Sequence, residues 1–393
     1  MASRSGYILE VDLDCPREIH DLQAQFPFAP ETRTLTPDML SPYSKSKLTV
    51  SNYKAQKLIG SFESKKNYII HFSALQQCLS HGLRLSKVHR IMKFRQFTFL
   101  KPYIEHTAAL RASLSSSFEK NCMKLMANSL YGKTIEDPTK YTKLSFCTVT
   151  NSLIRCASSP FFKHAKIFSP SFAICFMDRE SVQLKQCHAV GLSILDYSKA
   201  HMYTLFYDRI SPLLNVAGGG LKVVMSDTDS FLLAIETDDT TAGVFRKLSP
   251  VMDFSNYPPD HQLFSLQNKG KLGFLKDEMK GEEISEACAI RSKCYSILSA
   301  SGSTQNRCKG CPTGTTRKFS FDTYKDTIQD RTQTVQVSFF KIRSRDHQVT
   351  TQLQRRAAFS AFDDKRFYTC PIHSVPYGHY QYVNNEINKC VYC

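Results

Sequence analysis

The stretch VVMSDTDSFLLAI, Val223 to Ile235, decides how the chain is read. Two apolar runs flank a polar knot, SDTDS, and the pattern predicts two strands joined by a tight hairpin. Two aspartates, Asp227 and Asp229, sit at its tip, one residue apart. In an extended segment residues i and i+2 point the same way, so both carboxylates can converge on one point. Carboxylates that close repel each other unless a cation neutralises them. A hard divalent ion such as Mg2+ does this, taking carboxylate and phosphate oxygens together. Taken alone, SDTDS also reads simply as a turn, because Asp, Ser and Thr are turn residues.

The chain has 393 residues, room for two or three subdomains and a sizeable core. A hydrophobic content of 42% is too high for a disordered chain. Lys and Arg number 51 against 35 Asp and Glu, a net charge of +16. Such an excess favours a polyanionic partner, nucleic acid above all. No apolar run reaches the ~20 residues that a membrane span needs. The opening MASRSGYILEVDL lacks the apolar centre of a secretory signal. The expectation is an intracellular protein, neither secreted nor in a membrane, with its 14 cysteines reduced and mostly in the core. Two CxxC pairs, Cys308/Cys311 and Cys390/Cys393, and the CPIH run from Cys370 to His373 offer zinc ligands. Far more chain separates Cys311 from Cys390 than in a usual finger, so zinc is the lesser expectation.

GYILEVDLD alternates, with Tyr7, Leu9, Val11 and Leu13 on one face and Ile8, Glu10, Asp12 and Asp14 on the other. That predicts a half-buried strand. Pro27 and Pro30 then interrupt the chain. From Asn67 to Arg90 apolar residues recur at helical spacing. RIMKFRQFTFLKPY, Arg90 to Tyr103, mixes basic and aromatic residues, which suits nucleic acid or an ordinary surface. His106 to Lys133 reads as one long helix. Leu114, Phe118, Cys122 and Leu125 form its apolar stripe. Ser117, Lys120, Lys124, Asn128 and Tyr131 lie on a neighbouring polar face, and Gly132 weakens the end. ETDDTTAG (Glu236 to Gly243) and the stretch from Ser299 to Thr316 read as loops. Strand and helix signals without a regular βαβ rhythm predict an α+β fold.

Three of these segments carry a resemblance. KLMANSLYG, Lys124 to Gly132, resembles motif B, Kx3NSxYG, of family B DNA polymerases. SDTDS resembles their motif C. RSKCYSIL, Arg291 to Leu298, supplies Lys293 and Tyr295, which look like the family's KxY motif for the primer strand. The order B, C, KxY is the family's order. GYILEVDLDCPREIHDLQAQFPFAPE, KLGFLKDE and AFDDKR look like the viral and transposon branch, which is typically protein-primed. The resemblance covers nearly the whole chain.

The resemblance implies template-directed nucleotidyl transfer by two Mg2+ ions, with a DNA primer-template and dNTP as partners. In that branch a terminal priming protein is a further partner, and the site of action is the nucleus or a viral replication site. It implies part of a right-hand fold: fingers and adjoining palm in residues 1–135, an antiparallel palm sheet in 136–298, and a thumb-like region in 299–393. Asp229 is then the direct metal ligand and Asp227 a supporting one. Lys124 contacts the triphosphate, with Arg111 a second candidate. Asn128, Tyr131 and Gly132 line the nucleotide pocket, and Lys293 and Tyr295 grip the primer.

The family's motif A, a Dx2SLYP-like strand bearing the other metal-binding Asp, is not found in this sequence, nor are the exonuclease carboxylates. Asp12 and Asp14 read as the polar face of a strand rather than as substitutes. The expectation is therefore a C-terminal part of a polymerase that does not extend a primer by itself. The alternatives are a non-catalytic DNA-binding remnant and a zinc-stabilised interaction protein.

Overall fold

The computed structural model describes residues 5–48, 50, 52–214, 220–329, 334–345 and 348–382. The chain divides into two compact units. One combines the N-terminal run through Gly6 with Lys93–Asp196; the other combines Tyr7–Met92 with Tyr197 onward. Helices and strands are mixed, and the strand pairs with a determined register are antiparallel.

Ser5–Asp14, part of the larger unit from Tyr7 onward, is the middle strand of a three-stranded sheet, between Lys65–His71 and Arg84–Arg95. Leu9, Val11 and Leu13 enter a core with Phe28, Ile70, Leu75, Cys78 and Tyr203. The alternation is as expected, but the strand is more than half buried, since Ile8 and Asp12 on the other face are also covered. Between Asn67 and Arg90 only Phe72–Ser80 is helical. Apart from the turn at 81–83 the rest forms the two outer strands, so the helical spacing holds only within that helix, which buries Ala74, Leu75 and Cys78. His71 caps that helix, its Nδ1 accepting from the Ser73 N–H at 3.2 Å, which satisfies one of the free donors of the first turn.

The predicted hairpin forms, Leu221–Asp227 pairing with Ser230–Ile235. Period-two alternation puts Phe231, Leu233 and Ile235 on one face, against a core of Met202, Leu205, Ile210, Val244 and Phe254. Further along, Ile284–Arg291, Cys294–Ser299 and Thr304–Cys308 make a second three-stranded sheet. Its third strand lies in the stretch expected to be a loop. The helix Phe321–Ile328 covers this sheet through the fully buried Tyr324. A long ribbon, Thr334–Arg345 with Gln348–Ser360, is anchored at its base by Ala358 and Phe359. The run expected as a loop after the acidic hairpin closes earlier than Gly243, because Thr240 caps a helix over Thr241–Lys247.

In the smaller unit the expected long helix is two. Lys101–Ser113 ends where Leu114 turns extended, at ψ 150, and Ser117–Thr134 begins after Ser116. A run of serines competes for backbone hydrogen bonds and favours such a break. The expected apolar stripe is not a core face: Phe118 is 74% and Leu125 69% exposed, and the second helix has no buried residue. The Tyr103 hydroxyl ties the two helices by donating to the Met126 carbonyl at 3.3 Å. The unit's core lies under a sheet of Lys143–Cys147, Phe172–Met177 and Phe162–Ser169, with the helix Thr150–Ala157 against it.

Candidate functional site

At the acidic hairpin, Asp227 is the last residue of its strand and pairs with Ser230, leaving Thr228 and Asp229 as the tip. Thr228 has φ 59, the left-handed region that a β-branched residue enters only at a cost. The Asp229 N–H donates to the Asp227 carbonyl at 2.7 Å, closing a three-residue turn. Asp229 is thus aimed by this turn and not by strand alternation, contrary to the reasoning from an extended segment. Asp227 accepts from the Thr228 hydroxyl at 3.1 Å. The Asp229 carboxylate is exposed, with no hydrogen bond or ion pair among the described residues.

Lys293 meets this tip. Its Nζ lies 3.3 Å from Asp227 Oδ1. Lys293 sits in the two-residue turn between Arg291 and Cys294, itself left-handed at φ 63, and its carbonyl accepts from the Lys309 N–H at 2.9 Å. Two of the three motifs therefore touch through a salt bridge that sequence reasoning did not foresee. Tyr295 lies on the next strand, half-buried, alternating with the buried Cys294 and Ser296.

The remaining candidates belong to the smaller unit. Lys124, Asn128, Tyr131 and Gly132 follow one another along the helix Ser117–Thr134 at the i, i+4, i+7 and i+8 spacing of a single face. Arg111 is in the last turn of the preceding helix. Lys124, Asn128 and Arg111 are exposed, Tyr131 half-buried, and none has a side-chain partner among the described residues. A Cβ added at Gly132 would meet no heavy atom within 4 Å. The helix pays for a glycine that its own packing does not require.

The tip offers two hard carboxylates, a donor set that fits a divalent cation whose other ligands are phosphate and water oxygens. Among the described residues no third acidic ligand completes a cluster there. Asp12 is 7% exposed and accepts from the Asn67 N–H at 2.9 Å, His89 Nε2 at 2.8 Å and Lys66 Nζ at 3.3 Å. The Asn67 amide, then His89, hold its carboxyl down at about 2. It is a buried, committed group rather than a solvated strand face. Cys308 and Cys311 are 3.4 Å apart, and Cys370 Sγ is 3.1 Å from His373 Nδ1. Cys390 and Cys393 lie outside the described residues. No disulfide joins the described cysteines.

No helix among the described residues is long and apolar enough to cross a membrane. No family model matches the chain, and no curated protein matches it. Among solved structures the chain is similar to Phi29 DNA polymerase complexed with primer-template DNA and incoming nucleotide substrates, at 14% sequence identity and a TM-score of 0.47. The similarity covers 90% of this chain and 51% of that one, so the chain spans about half the length of the polymerase it matches.

Proposed function

We propose that the chain carries nucleotide- and primer-handling parts of a DNA-directed DNA polymerase. The reading rests on three motifs in polymerase order, and one observation carries it: an exposed, unpartnered Asp229 is held beside Asp227 by a left-handed turn at Thr228. Asp229, supported by Asp227, would hold Mg2+. When bound, such ions neutralise phosphate charge and make the primer hydroxyl more acidic. Lys124 binds the triphosphate of the incoming dNTP as a point charge, with Arg111 as a second cation. Asn128 and Tyr131 line the base and sugar, the ring as a stacking surface. Gly132 leaves room for close approach. Lys293 and Tyr295 hold the primer terminus, Lys293 exchanging Asp227 for a primer phosphate. Fingers, palm and thumb divide the chain on this plan, and a terminal protein is a candidate partner.

A second reading is a DNA-binding remnant without catalysis. The Lys293–Asp227 ion pair favours it, because a neutralised carboxylate is a poorer cation ligand.

Binding of a labelled primer-template to the full chain separates the two. On the polymerase reading, Mg2+ with the templated dNTP tightens binding at least tenfold, and Asp229→Ala abolishes the gain. Salt-sensitive binding with no response to Mg2+, dNTP or Asp229→Ala would overturn it in favour of the remnant.

A further inference from the structure

The smaller unit contains a feature that the polymerase reading does not use. Cys147 ends the strand Lys143–Cys147, Cys156 lies in the helix Thr150–Ala157, and Cys175 lies in the strand Phe172–Met177. Cys147 pairs with Ala173 and Cys175 with Ser145, so both thiols project from one face of the sheet. The helix lies on that face and supplies the third. Cys147 Sγ is 3.8 Å from Cys156 Sγ and 3.7 Å from Cys175 Sγ. All three sulfurs lie within 4.8 Å of one another, the only such set of His, Cys, Asp or Glu ligands among the described residues.

We propose that Cys147, Cys156 and Cys175 form a three-thiolate zinc site. A tetrahedral ion with Zn–S bonds of about 2.3 Å separates its sulfurs by about 3.8 Å; Cys147 keeps that spacing to both partners, and Cys156 and Cys175 lie within 4.8 Å of each other. Buried cysteines often act as small hydrophobes, and these three do pack with Leu153, Phe161, Phe162 and Met177. A packing role alone gives no reason for three sulfurs from three elements to converge, when methyl groups would fill the space as well. Thiolate softness selects zinc or copper(I) over magnesium. Zinc is favoured over copper(I) by charge: Zn2+ with three thiolates carries −1, copper(I) with three carries −2, and an apolar surround penalises the larger charge. Three thiols release three protons as one zinc binds, and a water completes the fourth position. Cys147 and Cys175 are 3% and 0% exposed, whereas Cys156 is half-buried and marks the way in. The ion would staple the strand pair to its helix.

The test is cobalt titration of the metal-free, reduced full chain. Sulfur-to-cobalt charge-transfer absorption with tetrahedral d–d bands is expected at one equivalent, displaced by zinc. Cys156→Ser should weaken cobalt binding at least tenfold and remove about a third of the charge-transfer intensity, while Cys308→Ser leaves both unchanged. In the unmutated chain, zinc should slow alkylation of Cys156 at least tenfold, a readout independent of whether the variants fold. An unchanged alkylation rate, or a cobalt spectrum that survives Cys156→Ser and disappears in Cys308→Ser, overturns the proposal.

Discussion

Lys293 Nζ lies 3.3 Å from Asp227 Oδ1, so the lysine of one motif occupies a carboxylate of another. Both groups are partly solvated, at 51% and 30% side-chain exposure, and a pair of that kind contributes about 0–1 kcal/mol. Lys293→Met should therefore change unfolding stability by less than about 1 kcal/mol. If the lysine serves the primer, the same variant weakens primer-template binding and lowers its salt dependence by about one counterion. Denaturant melts and anisotropy at two salt concentrations measure both. A large stability loss with unchanged DNA affinity would make the pair purely structural.

Asp229 shows the converse. Its exposed, unpartnered carboxylate does nothing for the fold that the described contacts reveal, so Asp229→Ala should lie within about 0.5 kcal/mol of the parent in stability. Binding of Mg2+ and dNTP should nonetheless be lost, as isothermal titration can read. Equal dNTP affinity in parent and variant would remove Asp229 from the site.

Thr228 holds the tip at φ 59, which costs a non-glycine residue about 1–2 kcal/mol. Backbone strain of this kind clusters at functional sites. Thr228→Gly should stabilise the fold by about 0.5–1 kcal/mol while weakening Mg2+ binding, because Asp229 loses its fixed aim. A variant that is less stable than the parent would show that the Thr228 hydroxyl bond to Asp227 outweighs the strain.

Much of this arrangement was legible in the sequence. Strand alternation located Ser5–Asp14, and the apolar runs around SDTDS located the hairpin. What escaped was what tertiary context decides. The burial of Asp12 depends on Asn67 and His89, which reach it from flanking strands. The break at Leu114 falls at a run of serines, residues that disfavour a helix interior, within a periodic pattern that looks continuous. The turn at Thr228 requires a backbone angle that its side chain disfavours, so no propensity announces it. Cys147, Cys156 and Cys175 follow no ligand spacing, because their meeting is made by a sheet and a helix rather than by one loop. The Lys293–Asp227 contact joins two turns that are distant in sequence.

Gly132 separates fold from function in the smaller unit. A glycine in a helix costs about 0.5–1 kcal/mol relative to alanine, and here an added Cβ meets open space. Gly132→Ala should raise unfolding stability by about that amount. Were the position to face a bound nucleotide, the methyl group would reduce dNTP affinity at least tenfold, measured as above. A variant that gains stability and keeps its affinity would place the nucleotide elsewhere.

Asp12 gives the pH test. Its folded-state pKa is about 2, below the ordinary value of 3.8, through the Asn67 amide first and His89 next. A depressed carboxylate stabilises the folded state above its unfolded pKa, and the contribution disappears as pH falls through the folded value. The stabilisation is thus complete above about pH 4 and gone near pH 2. Asp12→Asn retains an acceptor for the Asn67 amide but has no charge to offer His89 or Lys66. The variant should be less stable than the parent at pH 7, and the gap should narrow between about pH 4 and pH 2. Thermal melts of both proteins across that range give the difference directly, which cancels the titration of every other carboxylate. A gap that stays constant from pH 7 to pH 2 would mean that the buried contacts of Asp12 act through shape alone.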